Sequence, residues 1–309
     1  MKIIEIDKEE YKVILQNPFS NFESTGFFEL NKHKVDNIKY LLFNNGKNRF
    51  SLVAGIKHGV LKVPFSAPFG CFSSITKRNK LINFHLALEM LEEWTKKENL
   101  QKIEFNFPPH FYEPKYLTMF YNALHCSGFL IDNIDVNYEY DLKNFHDDYE
   151  MSIDPKARQS LRVAFKEQLS FEKTKDLTLA YKIIRNNRIH KGFPLKLSQA
   201  EIEKTSSVID VDFFIVKNGD TAISSAIIFH ITKNILKVIY WGNTSDSDHL
   251  KPMNFLSYNI FKYYSKNGYS FIDIGHSTEN SVPNHGLCNF KESIGCSSSP
   301  KFSLSKIIY

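Results

Sequence analysis

Asp273 sits near the end of an apolar run, Phe271-Ile272-Asp273-Ile274, and Gly275-His276-Ser277-Thr278 follow it directly. An amine must lose a proton before it attacks an acyl carbon, and a carboxylate at a strand end could take that proton. Asp273 could equally bond loop N–H groups and brace the strand. His276 is a candidate proton shuttle. Gly275 would let a substrate approach the backbone, and Ser277 would bind it. Lys291, on a short helix after Gly286, could hold a phosphate or a tetrahedral oxyanion, or form a structural salt bridge. No Ser-His-Asp order, metal cluster or phosphate-binding loop is visible. Direct attack by the amine, without a covalent enzyme intermediate, is the simplest mechanism for such a set.

Further candidates are basic or aromatic. Arg158, Arg162 and Lys166 recur at i, i+4 and i+8 and share one helix face. They could form an anion rail for the phosphates of an acceptor or of a tRNA, or a solvated basic face. His190 and Lys191 precede the turn Gly192-Phe193-Pro194, where cations also complement a helix C-terminus. Tyr240, Trp241 and Asn243 end a strand and could line a site, although core packing explains the aromatic pair equally well.

The elements that must position these residues follow from periodicity and punctuation. In the first half, Lys2 to Ile6, Lys39 to Phe43, Arg49 to Lys57 and Val60 to Pro64 read as strands. A long helix spans about Lys77 to Lys97, with Leu81, Phe84, Leu88 and Leu91 as its apolar stripe. Lys102 to Phe107 is a strand, Pro114 to Ser127 a helix closed by Gly128, and Asp135 to Leu142 a strand. The second half repeats this plan. A helix from Pro155 to about Gln168 precedes an extended Leu169 to Lys173 and a helix Leu177 to His190. A three-strand meander follows (Phe213 to Lys217, Ala222 to His230, Leu236 to Gly242). A helix opened by Pro252 and capped by Gly268 leads to the strand Ser270 to Ile274. The acidic stretch Asp147-Asp148-Tyr149-Glu150 marks the expected boundary, giving domains 1–148 and 149–309.

The chain has 309 residues, a net charge of +5, and 27 Phe and 15 Tyr. That length allows two domains of about 150 residues each. The mild positive charge tolerates an anionic partner without requiring nucleic acid. Cys71, Cys126, Cys288 and Cys296 form no CxxC pair, which argues against a zinc site or disulfide framework. Charges at the N-terminus argue against a signal peptide, and no run reaches the roughly 20 apolar residues of a membrane span. A cytoplasmic protein with no integral membrane segment is expected.

Several segments resemble the Fem-type aminoacyl- and acyltransferases of the acyl-CoA N-acyltransferase (GNAT) superfamily. Arg158-Gln159-Ser160-Leu161-Arg162-Val163-Ala164-Phe165-Lys166 resembles their basic helix. His190-Lys191-Gly192-Phe193-Pro194 resembles a turn that the family places near the acceptor. Ile239 to Asn243 and Phe271 to Gly275 are similar to two of their strand ends. Gly286-Leu287-Cys288-Asn289-Phe290-Lys291-Glu292-Ser293-Ile294-Gly295 resembles their closing segment. The first half matches only in outline, through Pro68-Phe69-Gly70 and Ser127-Gly128-Phe129. The resemblance implies an α/β fold with mixed sheets (α+β) and tandem GNAT-like acyltransferase domains. It also implies acyl or aminoacyl transfer to an amine of a cell-envelope, peptidoglycan-type precursor. The acceptor would be anionic and nucleotide- or lipid-linked. No cofactor would be tightly bound, and the donor would be an aminoacyl-tRNA or an acyl-CoA. Where CoA enzymes of the superfamily carry a glycine-rich pyrophosphate turn, this chain has His249-Leu250-Lys251-Pro252-Met253-Asn254, which favours aminoacyl-tRNA. A CoA-dependent N-acyltransferase of sugar or polysaccharide biosynthesis and a non-catalytic binding module are the alternatives.

Overall fold

Strand β1 (Lys2–Ile6) enters helix α1 (Lys8–Ile14) through a reciprocal cap in which Asp7 and Glu10 each bond the other's backbone N–H. Helix α2 (Thr25–Asn31), capped by Ser24, follows. Strands β2 (Asn37–Asn44) and β3 (Asn48–Lys57) pair antiparallel around a turn in which Gly46 takes φ +94°. Next come β4 (Val60–Val63), β5 (Ser73–Ser74), α3 (Leu81–Lys97), β6 (Lys102–Asn106) and α4 (Pro114–Cys126). Helix α3 starts at Leu81 rather than near Lys77. The Asn79 side chain bonds Ser74 and Thr76, which holds that residue in the preceding loop. Strand β7 (Leu130–Asp141) completes this pattern.

The second pattern runs α5 (Tyr149–Ser152), α6 (Pro155–Lys166), β8 (Leu169–Thr174), α7 (Leu177–His190), α8 (Gln199–Thr205), β9 (Val211–Asn218), β10 (Thr221–His230) and β11 (Ile235–Asn243). It continues through α9 (Pro252–Lys266), β12 (Phe271–His276), the short β13 (Thr278–Glu279) and β14 (Val282–Pro283), α10 (His285–Ser293) and β15 (Ser297–Ile307). This computed structural model describes every residue from Met1 to Tyr309. No helix is long and apolar enough to cross a membrane.

The chain divides into two units, Met1–Val136 with Ser299–Tyr309, and Asn137–Ser298. The division falls inside β7, and the acidic stretch expected to mark it lies within the second unit. The final strand explains the difference. β15 returns to pair antiparallel with β6 of the first unit, from Ser303↔Asn106 to Ile307↔Lys102. The end of β7 pairs with β12 of the second, from Asn137↔His276 to Asp141↔Phe271.

In the first unit, β1 to β4 are antiparallel neighbours and α3 carries the chain to β6, which lies parallel to β4. A parallel pair needs such a helical crossover. The phenylalanines account for the core: Phe72 contacts the rings of Phe43, Phe50, Phe105 and Phe120. In the second unit the order is β7-β12-β11-β10-β9-β8, with α9 as the crossover between parallel β11 and β12. Its core includes Tyr140 stacked on Phe261 with ring centres 4.1 Å apart.

One polar network ties α9 to this second sheet. Asp212 on β9 is buried, and it accepts from Tyr264 Oη at 2.7 Å and pairs with Lys173 Nζ at 2.7 Å. His230 Nε2 lies 3.1 Å from the same carboxylate, and Tyr269 Oη lies 3.0 Å from His230 Nδ1. Burial opposes the charge on Asp212, but hydrogen bonds from His230, Lys173 and Tyr264 outweigh it and pull the pKa down to about 2. A depressed carboxylate pKa adds stability above its unfolded value, and that stability is lost as pH falls through the folded value. Asp212→Asn should therefore cost on the order of 1–3 kcal/mol at pH 7. The gap from wild type should narrow between about pH 4 and pH 2, where the unfolded and folded carboxyls titrate. Denaturant titrations across that range check it, and a gap independent of pH would refute the assignment.

Candidate active site

The ladder between parallel strands β11 and β12 runs Ile235↔Phe271, Leu236↔Ile272 and Lys237↔Asp273. Beyond that third rung the strands part. β11 continues only against β10, with a register shift that leaves out Ile239. β12 continues against β7, with a shift that leaves out Ile274. Each strand therefore bulges just past the Lys237–Asp273 rung, which re-aims the residues that follow. The carboxyl ends of parallel strands are where open α/β sheets bind ligands, and the sequence candidates of β11 and β12 fall at these ends.

Asp273 has no exposed surface. Its Oδ2 accepts from Lys237 Nζ at 2.6 Å, and its Oδ1 accepts from Asn137 Nδ2 at 2.9 Å and from the Gly275 N–H at 2.7 Å. Burial pushes the pKa up, but the Lys237 charge and these donors hold the carboxyl below its ordinary value. The geometry corrects the expectation of a catalytic base. A sealed carboxylate that is already bonded on both oxygens cannot reach an amine, so Asp273 positions the strand end. Gly275 has φ +82°, and a side chain there would meet nothing closer than Lys237 Nζ at 3.9 Å. Glycine is needed for the backbone conformation rather than for room.

Lys291 on α10 is also buried, 2% exposed. Its Nζ donates to the carbonyls of Gly275 (2.7 Å) and His276 (3.2 Å) and lies 5.4 Å from the Tyr138 ring centre. Burial lowers its pKa to about 7. Rather than forming the salt bridge that was one of its two expected roles, or facing outward to hold an anion, it anchors the turn that carries His276 and Ser277. His276 is exposed, whereas Ser277 is 3% exposed and its Oγ has no hydrogen-bond partner. An orphaned buried hydroxyl is a donor available to a ligand.

The end of β11 packs under α7. Gly242 faces Asn187 so closely that an added side chain would approach within 3.1 Å of Asn187 Oδ1. Asn187 Nδ2 donates to the Asn243 carbonyl at 2.6 Å, and the Asn243 side chain donates to Asp248 at 2.7 Å. Trp241 is buried against Phe290 of α10, a core role. The Tyr240 hydroxyl accepts from the Leu197 N–H at 3.0 Å, tying the loop after α7 to this strand end. His190 and Lys191 begin that loop and are exposed.

The basic helix α6 is less free than its spacing suggested. Arg158 is half-buried with Nη2 3.4 Å from the Met151 and Ile153 carbonyls, and Arg162 pairs with Glu150 at 2.7 Å. Lys166 is exposed. The α6 N-terminus meets the end of α10 through the Asp154 N–H and the Ser293 carbonyl. Sequence reasoning missed Lys237 and Asn137. The signal for Lys237 was a lone lysine within Ile235-Leu236-Lys237-Val238, at the position that faces Asp273.

No protein-family model matches the chain, and no curated protein matches it by sequence. Solved structures do. FemX superposes with a TM-score of 0.71 at 15% identity, over 99% of this chain and 97% of that one. The chain shares its fold with FemX. L-PGS from Bacillus licheniformis matches at TM-score 0.59 and 14% identity, over 97% and 92% of the two chains. A tandem GNAT protein from the clavulanic acid biosynthesis pathway matches at 0.52 and 8%, over 100% and 98%. Lys291 brings Gly275, His276 and the turn before Ser277 together, and α6 meets α10 through its N-terminus.

Removing one partner of the buried Lys237–Asp273 pair should be costly. Asp273→Asn should destabilise by about 3–5 kcal/mol, because Lys237 is left charged and unpaired. The double change Lys237→Met with Asp273→Leu should recover much of that loss. Equilibrium unfolding of the three proteins tests this, and a single variant as stable as wild type would contradict it.

Proposed function

We propose that this chain is an acyltransferase that moves an acyl or aminoacyl group onto an amine of a cell-envelope, peptidoglycan-type precursor. The carrying observation is the buried Lys291, which clamps the Gly275–His276 carbonyls where β11 and β12 part and leaves the Ser277 hydroxyl unpartnered. Fold likeness to FemX supports the same reading. In this mechanism the acceptor amine attacks the acyl carbon directly, forming the C–N bond, and the ester C–O bond then breaks so that the tRNA ribose oxygen leaves with a proton. Ser277 Oγ, sealed until the turn shifts, donates to the developing oxyanion, and exposed His276 accepts the proton that the amine loses. Lys291 and Asp273 hold the turn. Arg158, Arg162, Lys166, His190 and Lys191 provide the charge that draws an anionic, nucleotide- or lipid-linked acceptor. We place the reaction in the cytoplasm.

The donor on this reading is aminoacyl-tRNA. A CoA pyrophosphate needs free amides at a helix N-terminus. At α9 the Lys251 N–H donates to Asp248, Pro252 has none, and the Asn254 N–H donates to the Lys251 carbonyl, which leaves Met253. Acetyl-CoA should therefore bind weakly or not at all by calorimetry. Tight stoichiometric binding would instead favour the CoA-dependent N-acyltransferase reading.

The direct test is turnover with aminoacyl-tRNA and UDP-linked muropeptides. His276→Ala and Ser277→Ala should each lower kcat by about 10²–10³-fold with unchanged melting temperature. Turnover near wild type in both variants would remove these roles. No transfer to any amine acceptor, with no binding of any donor, would favour the binding-module reading.

A further inference from the structure

A second concavity lies at the opposite end of the second unit's sheet. Asp141 pairs with Phe271, the first residue of β12, so the segment after β7 leaves from the end remote from Gly275. There it meets the last turns of α9 and encloses about 330 Å³. Lys143 and His146 enter from the segment, and Lys262 and Lys266 from the helix, with Phe145 and Tyr258 between them. Lys262 and Lys266 are four apart and share a face.

The charge here is unbalanced. Two lysines of this unit's sheet do find carboxylates, in Lys217–Glu172 and Lys173–Asp212, each at 2.7 Å. Lys143, Lys262 and Lys266 form no ion pair within 4.0 Å, and the one acid in the lining, Asp147, forms none either. Lys262 Nζ instead lies 5.5 Å from the Tyr258 ring centre. A helix C-terminus favours a nearby cation, which accounts for Lys262 and Lys266 separately. It does not account for Lys143 and His146 arriving from another segment at the same concavity. Three lysines drawn from two segments raise the local positive potential, which favours an anion in the space between them. Lysines bind phosphate as point charges, and the half-buried rings of Phe145 and Tyr258 offer apolar surface beside them.

We propose that this concavity is a binding site for the phosphoryl group of a small phosphate ester of the nucleotide class, separate from the candidate active site. Occupancy places the phosphoryl oxygens among Lys143, Lys262 and Lys266 and the organic part against Phe145 and Tyr258.

The test is calorimetry of the full chain with ADP, adenosine and inorganic pyrophosphate as probes. ADP should bind, adenosine should not, and pyrophosphate should bind more weakly than ADP because it lacks the ring contact. Lys262→Gln with Lys266→Gln should weaken ADP by about tenfold or more, as expected when charge-assisted bonds are removed. Phe145→Ala should weaken ADP and leave pyrophosphate unchanged. Lys47→Gln, on an exposed turn of the other unit, should change nothing. The readout is binding at this site, so it stands or falls independently of transferase activity. No ADP binding at millimolar concentration, or ADP binding unmoved by the lysine changes, overturns the proposal. Pyrophosphate binding as tight as ADP and indifferent to Phe145→Ala overturns its nucleotide class.

Discussion

A buried ion pair across one rung of a parallel ladder governs the rest of the second unit. Lys237 and Asp273 sit opposite each other and meet at 2.6 Å. Two charges in an apolar interior survive only with close geometry and further hydrogen bonds. Asn137 and the Gly275 N–H supply those bonds to the carboxylate. The second bond requires the chain to turn back two residues after Asp273, and Gly275 makes that turn at positive φ. The turned carbonyls of Gly275 and His276 then become the acceptors for Lys291. The position of α10 thus depends on the turn that this carboxylate sets.

The same pair explains why the strands separate where they do. Up to the third rung, β11 and β12 share a ladder; beyond it, each bulges and pairs only with its other neighbour. A carboxylate that spends one oxygen on Lys237 and the other on Asn137 and Gly275 fixes the last shared rung. The residues past it, Tyr240 to Asn243 on one side and Gly275 to Ser277 on the other, end on separate strands whose positions are set by α7 and α10.

Much of this was legible in the sequence. Helix α7 was read to its observed ends, and the three-strand meander and the proline-led helices α4, α6 and α9 followed from period and punctuation. Helices α1, α2, α5 and α8 went unread, two of them although reciprocal caps were in plain view: Asp7 with Glu10 before α1, and Ser198 with Glu201 before α8. Their apolar faces are too short to register as a period. The return of β15 to the first unit was not legible, because a strand carries no local mark of its partner. At the site, residue types pointed to the strand ends and to Lys291, which engages backbone carbonyls, and left Asp273 as either a base or a brace, of which the bonding pattern shows the brace. A carboxylate at a strand end looks the same in sequence whether it faces a substrate or a buried lysine. Only its register against Lys237, a long-range property, decides between the two.

Asp212 and Asp273 show how one sheet uses the same residue type in two ways. Asp212 is held by three side chains, His230, Lys173 and Tyr264, with Tyr269 beyond them. It joins β8, β9, β10 and α9 and leaves no backbone in an unusual conformation. Asp273 is held by a buried lysine, an amide and a backbone N–H, and the chain beyond it departs from regular geometry. Gly275, Asn280 and Ser281 all have positive φ within a few residues. Such conformations persist only where surrounding bonds over-determine them. Regular pairing and a satisfied network occupy one end of β12, and strained backbone with an orphaned hydroxyl at Ser277 occupies the other. Residues at the first end can change without reshaping the second, because the Lys237–Asp273 rung isolates the turn from the sheet behind it.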